Sequence, residues 1–464
     1  MAANKPLASD PQPNQRRARL AAWAIAAIAI TVTIALIVWA IVWPRASSEG
    51  PAIKPTQSSG ASVTQEGRGP LADTAALPFS VDGVPADGDV VEVAEGAQPA
   101  TLGDSWTFGG DFSQIGSFPV SADTVFGSST ADPNDLRSYY AAFISRSRNG
   151  ESEGSNINSA GARNIDPNAQ SGTFYEPQDG TGDESRVVWR SSTMNTVSQN
   201  TVDNWRLQTW SKADDRTVTL GTARDLNGRD DTPPTYGEVV PTFNQRNAYF
   251  AANVFGNNAW QESILQYSLD YAGQDGANAA NLRVIDVGNF PAAVGSGVIF
   301  ASGAAQGNKF RAYGVLRYAK DVDNSNDNQP STILSVRSST NAWGIAGVWA
   351  HDAYRAVAFS DGTQQSGNYI GLWADDFKTN LGWIHVKSAS VVASMNSDWI
   401  VWGSGSQADN AGMYAFNWQR SEVKYLGAVQ GYSRPTIASD SNTVMVPKFD
   451  GTTKAVTFTI GMLS

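Results

Sequence analysis

From about Phe79 to Ser464, short apolar runs alternate with turns rich in Gly, Asn, Asp and Ser. β-Branched and aromatic residues dominate these runs, and no stretch keeps a helical period. This spacing is typical of a domain in which each short run is a β-strand. The pattern therefore predicts an all-β domain over residues 79–464.

One type of strand, with a small or polar lead and an apolar body, recurs along this domain. It returns every 44 to 62 residues or so, at Asp123–Phe126, Ser185–Trp189, Asn247–Phe250, Ser296–Phe300, Tyr354–Phe359, Ser397–Trp402 and Ser441–Val446. A repeat of this length leaves room for three or four short strands, as in the blades of a β-propeller. We therefore expect a seven-bladed β-propeller, with six or eight blades as alternatives. A β-sandwich, or a pair of them, would show turn signals without this repeated register.

The last repeat has strand-like segments at Thr443–Pro447 and Thr453–Ile460, and no outer strand follows them. A propeller needs a complete last blade to close its ring. Asp89–Val93, near the start of the domain, is also strand-like. We expect this early segment to complete the last blade.

Leu20–Trp43 holds no charged residue, no Gly and no Pro. A helix of this length, at about 1.5 Å per residue, can cross a hydrocarbon core of about 30 Å. Arg16, Arg17 and Arg19 precede it, and basic flanks stay in the cytoplasm. We therefore expect residues 1–19 to be a cytoplasmic tail, followed by a single-pass helix in the lipid bilayer. The alternative, a cleaved signal peptide, usually has an apolar run of only about 7–15 residues.

Two polar stretches surround the start of the propeller. Residues 44–78 are rich in Pro, Gly, Ser and Gln, which predicts a flexible linker between membrane and domain. Residues 146–183 are too many for an ordinary connection, so we expect a long surface loop there. It is either a disordered insertion or a partner-binding lid, with Phe174-Tyr175 as its only aromatic pair.

Composition excludes several classes of function. The chain has no Cys, so thiol chemistry and Cys-ligated metals are excluded. Its only histidines are His351 and His385, for which we expect structural or surface roles. Without residues 1–45, which hold five basic residues and one acidic residue, 28 basic and 43 acidic residues remain, a net charge of −15. Nucleic acid is therefore not an expected partner, because phosphate binding needs clustered Lys and Arg.

The other candidate motifs are incomplete. Two acidic stretches offer oxygen ligands for calcium but lack parts of the usual loop, so we expect hairpin tips at Asp321–Asn328 and Asp225–Asp231. Fragments of a sialidase box, a nucleophile motif and turn aspartates occur at Asp361–Thr363, Gly295–Gly297, Gly403–Ser406, Asp214-Asp215 and Asp375-Asp376. We therefore assign no catalytic, cofactor-binding or metal-ligating residue, and expect no cofactor.

The C-terminal quarter carries a family resemblance. The segments Ser397–Trp402, Met413–Gly427 and Arg434–Asp440 resemble the TolB-type propeller repeats of bacterial cell-surface proteins. The resemblance covers Gly347–Ser464 and fades upstream. It implies a propeller fold that binds other molecules, and it implies no single activity.

Together these observations predict a membrane-anchored, extracytoplasmic propeller of a bacterial envelope. We expect it to act as a binding or scaffolding module for another envelope protein or for cell-wall glycan, and not as an enzyme. The alternative is a carbohydrate-active hydrolase or lectin on the same scaffold. A sensor that signals through the helix is a weaker hypothesis, because a tail of 19 residues holds no domain.

Overall fold

The computed structural model describes residues 77–464 except 94–96, 111–112, 134–138, 147–160, 166–175, 196–201, 230–231, 236–239, 271–281, 305–312, 322–328, 339–342, 389, 405–410, 430–433 and 454. The predicted tail, helix and nearly all of the linker lie outside this range, as do most of the 146–183 loop and of Asp321–Asn328. No helix among the described residues is both long and apolar enough to cross a membrane.

Almost all regular secondary structure in the described chain is β-strand, grouped into antiparallel four-stranded units. The first three units contain β5 Gln114–Ser121, β6 Thr124–Ser129, β7 Tyr140–Ser145 and β8 Gly161–Asn164; β9 Glu176–Gly182, β10 Arg186–Asn195, β11 Val202–Ser211 and β12 Arg216–Thr222; and β13 Thr242–Phe243, β14 Asn247–Gly256, β15 Ala259–Ser268 and β16 Leu282–Val287. One short helix, α1 Ala223–Asn227, follows β12.

The remaining units continue this order along the chain. They contain β17 Asn289–Val294, β18 Gly297–Ala304, β19 Tyr313–Lys320 and β20 Ser331–Arg337; β21 Gly344–His351, β22 Tyr354–Ser360, β23 Asn368–Ala374 and β24 Asn380–Val386; and β25 Val391–Met395, β26 Trp399–Ser404, β27 Met413–Asn417 and β28 Glu422–Gly427. The last unit contains β29 Thr436–Ile437, β30 Thr443–Phe449 and β31 Val456–Leu463, joined by an early strand, β4 Leu102–Gly109.

The units form a cycle. The first strand of each unit contacts the first strand of the next, and β29 of the last unit contacts β5 of the first. The strand type that recurs in the sequence is the second strand of every unit. This order confirms the prediction of an all-β, propeller-like fold.

Aromatic side chains fill the seams between units. Phe126 packs on Trp189 at 5.2 Å between ring centroids, and Trp205 packs on Phe250 at 4.6 Å. All four are almost fully buried. Burying one large apolar side chain contributes about 1.5–3 kcal/mol, whereas an exposed ion pair contributes about 0–1 kcal/mol. The seams therefore hold the units together more than the surface charges do.

The N-terminal strap, which we define as residues 79–93 and 97–99, runs along the outer strands of three successive units. Its strand β1 Ser80–Asp82 pairs antiparallel with β20, and β2 Val90–Glu92 pairs parallel with β24. The third strand, β3 Gln98–Pro99, pairs parallel with β28. The chain then enters the last unit as β4. The strap thus covers outer edges that would otherwise expose unpaired backbone groups.

Side chains fix the strap on the fifth unit, β21–β24. Phe79 is buried in a cage of aromatic rings made by Trp343, Phe359, Tyr369 and Trp383. The indole N–H of Trp373 donates to the carbonyl of Pro85 at 2.8 Å. The Gly88 N–H donates to Asn380 Oδ1 at 2.9 Å. Because its backbone and its one large ring are both bound, this part of the strap belongs to the core.

A charged contact strengthens the end of β2. His385 Nδ1 lies 3.1 Å from Glu92 Oε1, and His385 Nε2 lies 3.1 Å from the Ser366 carbonyl oxygen. The ring of Tyr369 stacks on the imidazole at 4.2 Å. Burial raises the pKa of Glu92, but the hydrogen bond and charge of His385, helped by Lys387, outweigh it and hold that pKa below its ordinary value.

The strand that completes the last unit differs from the one that we expected. Leu102–Gly109 pairs antiparallel with β31, whereas Val90–Glu92, inside the expected Asp89–Val93, pairs with β24. The longer strand aligns Phe108 with Phe458, and their rings stack at 5.1 Å. The shorter strand has only three paired residues, and its two valines fill seams on either side of the fifth unit.

We expect Phe108→Ala to lower the free energy of unfolding by about 3–5 kcal/mol, the usual cost of emptying an aromatic site in a core. Phe108 is fully buried in the seam between the last and first units. Urea unfolding followed by Trp fluorescence measures the change. Leu381→Ala, at a site that is 37 % exposed on β24, is the control and should change stability by no more than about 0.5 kcal/mol. Equal losses in the two variants would contradict the importance of this closure.

The contact between Glu92 and His385 should make the free energy of unfolding depend on pH. Because the native pKa of Glu92 is lowered, its stabilisation is complete above the ordinary value of 4.5 and is lost as the pH falls through the native value. Glu92→Gln should therefore destabilise the chain at pH 7 and have little effect at pH 3, as measured by urea midpoints. Glu422→Gln, which removes a partly exposed carboxylate beside Lys424, should have a smaller effect at pH 7 and little effect at pH 3.

Candidate functional site

A cavity of about 1670 Å³ lies along the inner side of the units. The first strands and the turns that follow them line it, and its wall mixes aromatic, aliphatic and charged side chains. Pockets for small molecules usually measure about 300–1,000 Å³. This cavity therefore has room for a ligand larger than a single small molecule.

The turns that follow the first strands gather at one mouth of the cavity, which we name the turn rim. Hydrogen bonds link these turns from unit to unit. Asn396 Nδ2 donates to the Ser441 carbonyl at 2.8 Å, and Asn244 Nδ2 donates to the Val294 carbonyl at 3.1 Å. The Ser439 hydroxyl donates to the carbonyl of Gly182 at 3.3 Å. These bonds fix the rim, so the side chains on it have defined positions.

Two carboxyl groups on the rim have different environments. Asp183 Oδ1 accepts hydrogen bonds from the Ser185 N–H and hydroxyl at 2.7 and 2.6 Å, and from the Arg186 N–H at 3.0 Å. Burial raises the pKa of Asp440, and the negative charges of Asp183 and Glu184 raise it further. Its own backbone N–H and the charge of His351 oppose this rise. Asp440 thus holds its proton to higher pH than an ordinary aspartate.

The fifth unit contributes a histidine to the rim. His351 ends β21 and lines the cavity. Its Nδ1 is buried and has no hydrogen-bond partner among the described residues. The closest carboxylate oxygen, of Asp352, is 3.8 Å from this nitrogen. His351 therefore offers one unpaired ring nitrogen near the mouth.

A buried arginine lies beside the same turn. Arg355 lines the cavity but is only 6 % exposed. Its Nη1 donates to the carbonyl oxygens of Asp352 and Tyr354, each at 2.7 Å. Burial lowers the pKa of Arg355, and the charges of Asp375 and Asp352 counteract this effect. The mouth thus combines a buried positive charge with exposed negative charges.

Three residues of the cavity wall have an unusual backbone. Phe290, Asp352 and Phe377 have φ angles of 54°, 35° and 59°, in the left-handed region that L-residues avoid. Such a conformation costs on the order of 1–3 kcal/mol and persists only where the surroundings fix it. All three line the cavity. Strain of this kind concentrates at binding and catalytic sites.

The residues singled out in the sequence are dispersed. His385 binds the strap, and Asp215 binds Arg163 on an outer surface. Asp361 accepts hydrogen bonds from Thr363 and Ser366 within one turn. Of the pairs given no role in the sequence, only Asp375-Asp376 reaches the cavity.

The serine and calcium motifs form no site either. Ser296 lies in the turn between β17 and β18, 2.9 Å from the Tyr318 hydroxyl, and no helix follows it. In the first calcium motif Asp321 accepts a hydrogen bond from Asn244, and residues 322–328 lie outside the described range. The second motif contains α1, and its last two residues are likewise not described. No group of three acidic or histidine side chains in the described part of the chain could hold a metal.

The fold assembles a site that the motifs did not reveal. Asp183 and Asp440 are 257 positions apart, yet the rim brings their charges together. Arg355 is the second residue of its strand, where the recurring pattern indicated only a polar lead. Position was the signal that could have found these residues, because Asp183, Asp440 and Arg355 all lie in or beside the turn between the first and second strands of a unit.

The units, their cyclic order and the central cavity define the class as a propeller-like all-β protein. No known family model matches the sequence, and no curated protein matches it. Among solved structures, it is similar to one from a study of two prolyl endopeptidases, with 10 % identity and a TM-score of 0.44 over 76 % of this chain and 50 % of that chain. The chain thus spans half the length of that neighbour.

Two other similar structures come from different proteins. One is the β-propeller domain of the trilobed protease from Pyrococcus furiosus, at 7 % identity and a TM-score of 0.41, over 76 % of this chain and 95 % of that one. Another is the GH43_1 enzyme from Xanthomonas citri complexed with xylose, at 10 % identity and a TM-score of 0.31, over 57 % and 90 %. Similarity at this level carries no information on activity or substrate.

Asp440→Asn should stabilise the chain at neutral pH. The raised pKa means that the folded chain disfavours the ionised Asp440 carboxylate. This carboxylate therefore destabilises the fold increasingly as the pH rises above 3.8, the ordinary pKa of an aspartate. An amide removes this charge, and the gain should disappear below pH 3. Thermal unfolding between pH 3 and 8 tests this. Asp398→Asn, which removes a carboxylate that accepts a hydrogen bond from Asn442, should not stabilise the chain, and the same gain in both variants would overturn the explanation.

Proposed function

We propose that this chain is a membrane-anchored, extracytoplasmic, seven-bladed propeller of TolB type that acts as a binding or scaffolding module. The cyclic contacts of the first strands support a ring of seven four-stranded units. The apolar segment Leu20–Trp43 and the arginines before it support an anchor with the propeller outside the cell membrane. The resemblance over Gly347–Ser464 supports the TolB type.

The central cavity carries this proposal. It is large, it opens at a rim of hydrogen-bonded turns, and three strained residues lie in its wall. We place the binding site at the turn rim and in the adjoining part of the cavity. The partner is another envelope protein or a cell-wall glycan, and in either case an extended portion of it enters the cavity.

One observation favours the alternative, a carbohydrate-active hydrolase. Asp440 has a raised pKa and interacts with Asp183, whose Oδ1 accepts three hydrogen bonds. A carboxyl group with a raised pKa that interacts with a second carboxyl group is the kind of pairing used in glycoside hydrolysis. In this reading Asp440 is the acid and Asp183 is the base or nucleophile.

Blocking the mouth tests the binding proposal. A Cβ added at Gly295 meets no atom within 4 Å, and Gly295 lines the cavity, so Gly295→Trp places an indole ring in open space. A Cβ added at Gly451, in an exposed turn of the last unit, is equally free. The full-length chain in detergent is immobilised and exposed to envelope protein and to wall glycan. We expect Gly295→Trp to lose most of the retained partner and Gly451→Trp to keep it.

The same immobilised chain distinguishes a binding module from a hydrolase. Release of reducing ends from retained glycan, lost in both Asp440→Asn and Asp183→Asn, would favour the hydrolase. Retention without release would favour the binding module. Retention that is identical in Gly295→Trp and Gly451→Trp would show that the cavity is not the site.

A further inference from the structure

Arg355 has the features of a ligand-binding residue, provided that the cavity is the binding site proposed above. It pairs with Ala350 on β21 and with Trp373 on β23. The Trp373 side chain is buried in the cluster shared with the fourth unit, β17–β20. Arg355 therefore lies on the face of the fifth unit that packs toward the fourth, where Tyr318 and Phe377 also line the cavity.

The guanidinium of Arg355 forms no direct ion pair within the described chain. Among the described residues, no carboxylate oxygen lies within 4.0 Å of its nitrogens. A mostly buried arginine elsewhere shows the usual arrangement, because Arg190, whose side chain is 11 % exposed, forms a direct ion pair with Asp203. Buried charges in proteins are nearly always paired in this way, since leaving water is costly. An unpaired buried charge in a cavity wall therefore points to a ligand that supplies the partner.

Two donors of Arg355, Nε and Nη2, are suited to bind a carboxylate. The two carbonyl contacts involve Nη1 alone. Nε and Nη2 make no hydrogen bond within the described chain, and they are absent from its fully buried unpaired atoms. Both nitrogens therefore retain access to the cavity. This side of a guanidinium is a planar fork that binds a carboxylate through two parallel hydrogen bonds.

The charges around this fork limit which carboxylate it accepts. Asp352 and Asp375 act electrostatically on Arg355, and Asp376 lines the same mouth. These negative charges, on an acidic exterior, repel a polyanion such as a polyuronate. They favour a ligand in which an ammonium group accompanies one carboxylate, because the ammonium then faces the rim while the carboxylate binds the fork.

We propose that the gap between the fourth and fifth units binds a peptide unit that carries one free carboxylate and one free ammonium group. Arg355 binds the carboxylate through Nε and Nη2, and Asp375 binds the ammonium group. The backbone and aliphatic part of the unit pack on Phe377. A cross-linking or C-terminal residue of a wall peptide, or the end of a protein chain, has this chemistry.

The test compares matched peptides by calorimetry on the full-length chain in detergent. The probes are N-acetyl-Ala-Ala-Lys with a free C-terminal carboxylate, its C-terminal amide, and its Nε-acetyl derivative. We expect binding of the first, at least tenfold weaker binding of the amide, and severalfold weaker binding of the acetylated peptide. Arg355→Lys, which keeps the charge and loses the fork, should weaken the first peptide at least tenfold. Arg337→Lys, on an outer strand, is the control and should not.

A substitution at the buried Arg355 could impair folding, so Asp375→Asn, at an exposed residue, provides a second test. This variant should lose the preference for the free ammonium group and keep the preference for the free carboxylate. Equal affinity for the three peptides, or none, would overturn the inference. Binding of galacturonate that depends on Arg355 would overturn the peptide assignment. If the peptides fail while Gly295→Trp still abolishes retention of the envelope partner, the inference alone is wrong and the proposed function stands.

Discussion

The pairing of β4 with β31 is the constraint on which the other features of this molecule depend. A ring of sheets has a defined inner space only if its last sheet is complete and packs on the first. Leu102–Gly109 meets both conditions, because its backbone pairs with β31 and its Phe108 enters the seam with the first unit. The cavity has a fixed width because this strand, which comes early in the chain, belongs to the last unit.

The strap adds a second constraint. Exposed outer strands are open to pairing with other chains. The strap covers the outer strands of three units and places β4 in a fourth. Rings, backbone hydrogen bonds and the contact of Glu92 with His385 and Lys387 together bind this short segment to the propeller.

Local pattern in the sequence predicted the repeating part of the fold. The recurring polar-then-apolar strand could be recognised because every unit buries it on both faces, which leaves the same signature each time. The partner of β31 could not be chosen in this way, since Asp89–Val93 and Leu102–Gly109 are both strand-like. The packing of Phe108 against Phe458 distinguishes them, and that contact joins residues at opposite ends of the domain. The site was hidden for the same reason. Asp183, Asp440 and Arg355 are ordinary turn or strand-start residues until the ring brings them to one cavity.

The cavity differs from the seams in a way that bears on function. The seams are apolar and closely packed, and such packing can hold unfavourable local features in place. The wall of the cavity contains several, namely two phenylalanines and an aspartate with left-handed backbone. Within the described part of the chain it also has a histidine nitrogen without a hydrogen-bond partner and an arginine without a direct ion pair. Phe377 and Phe290 also pack in the core cluster shared by the fourth and fifth units, so the seam beside the cavity holds their backbone in place. Strained backbone that persists in the wall of a cavity is a feature of binding sites, and this is a physical reason for placing the site there.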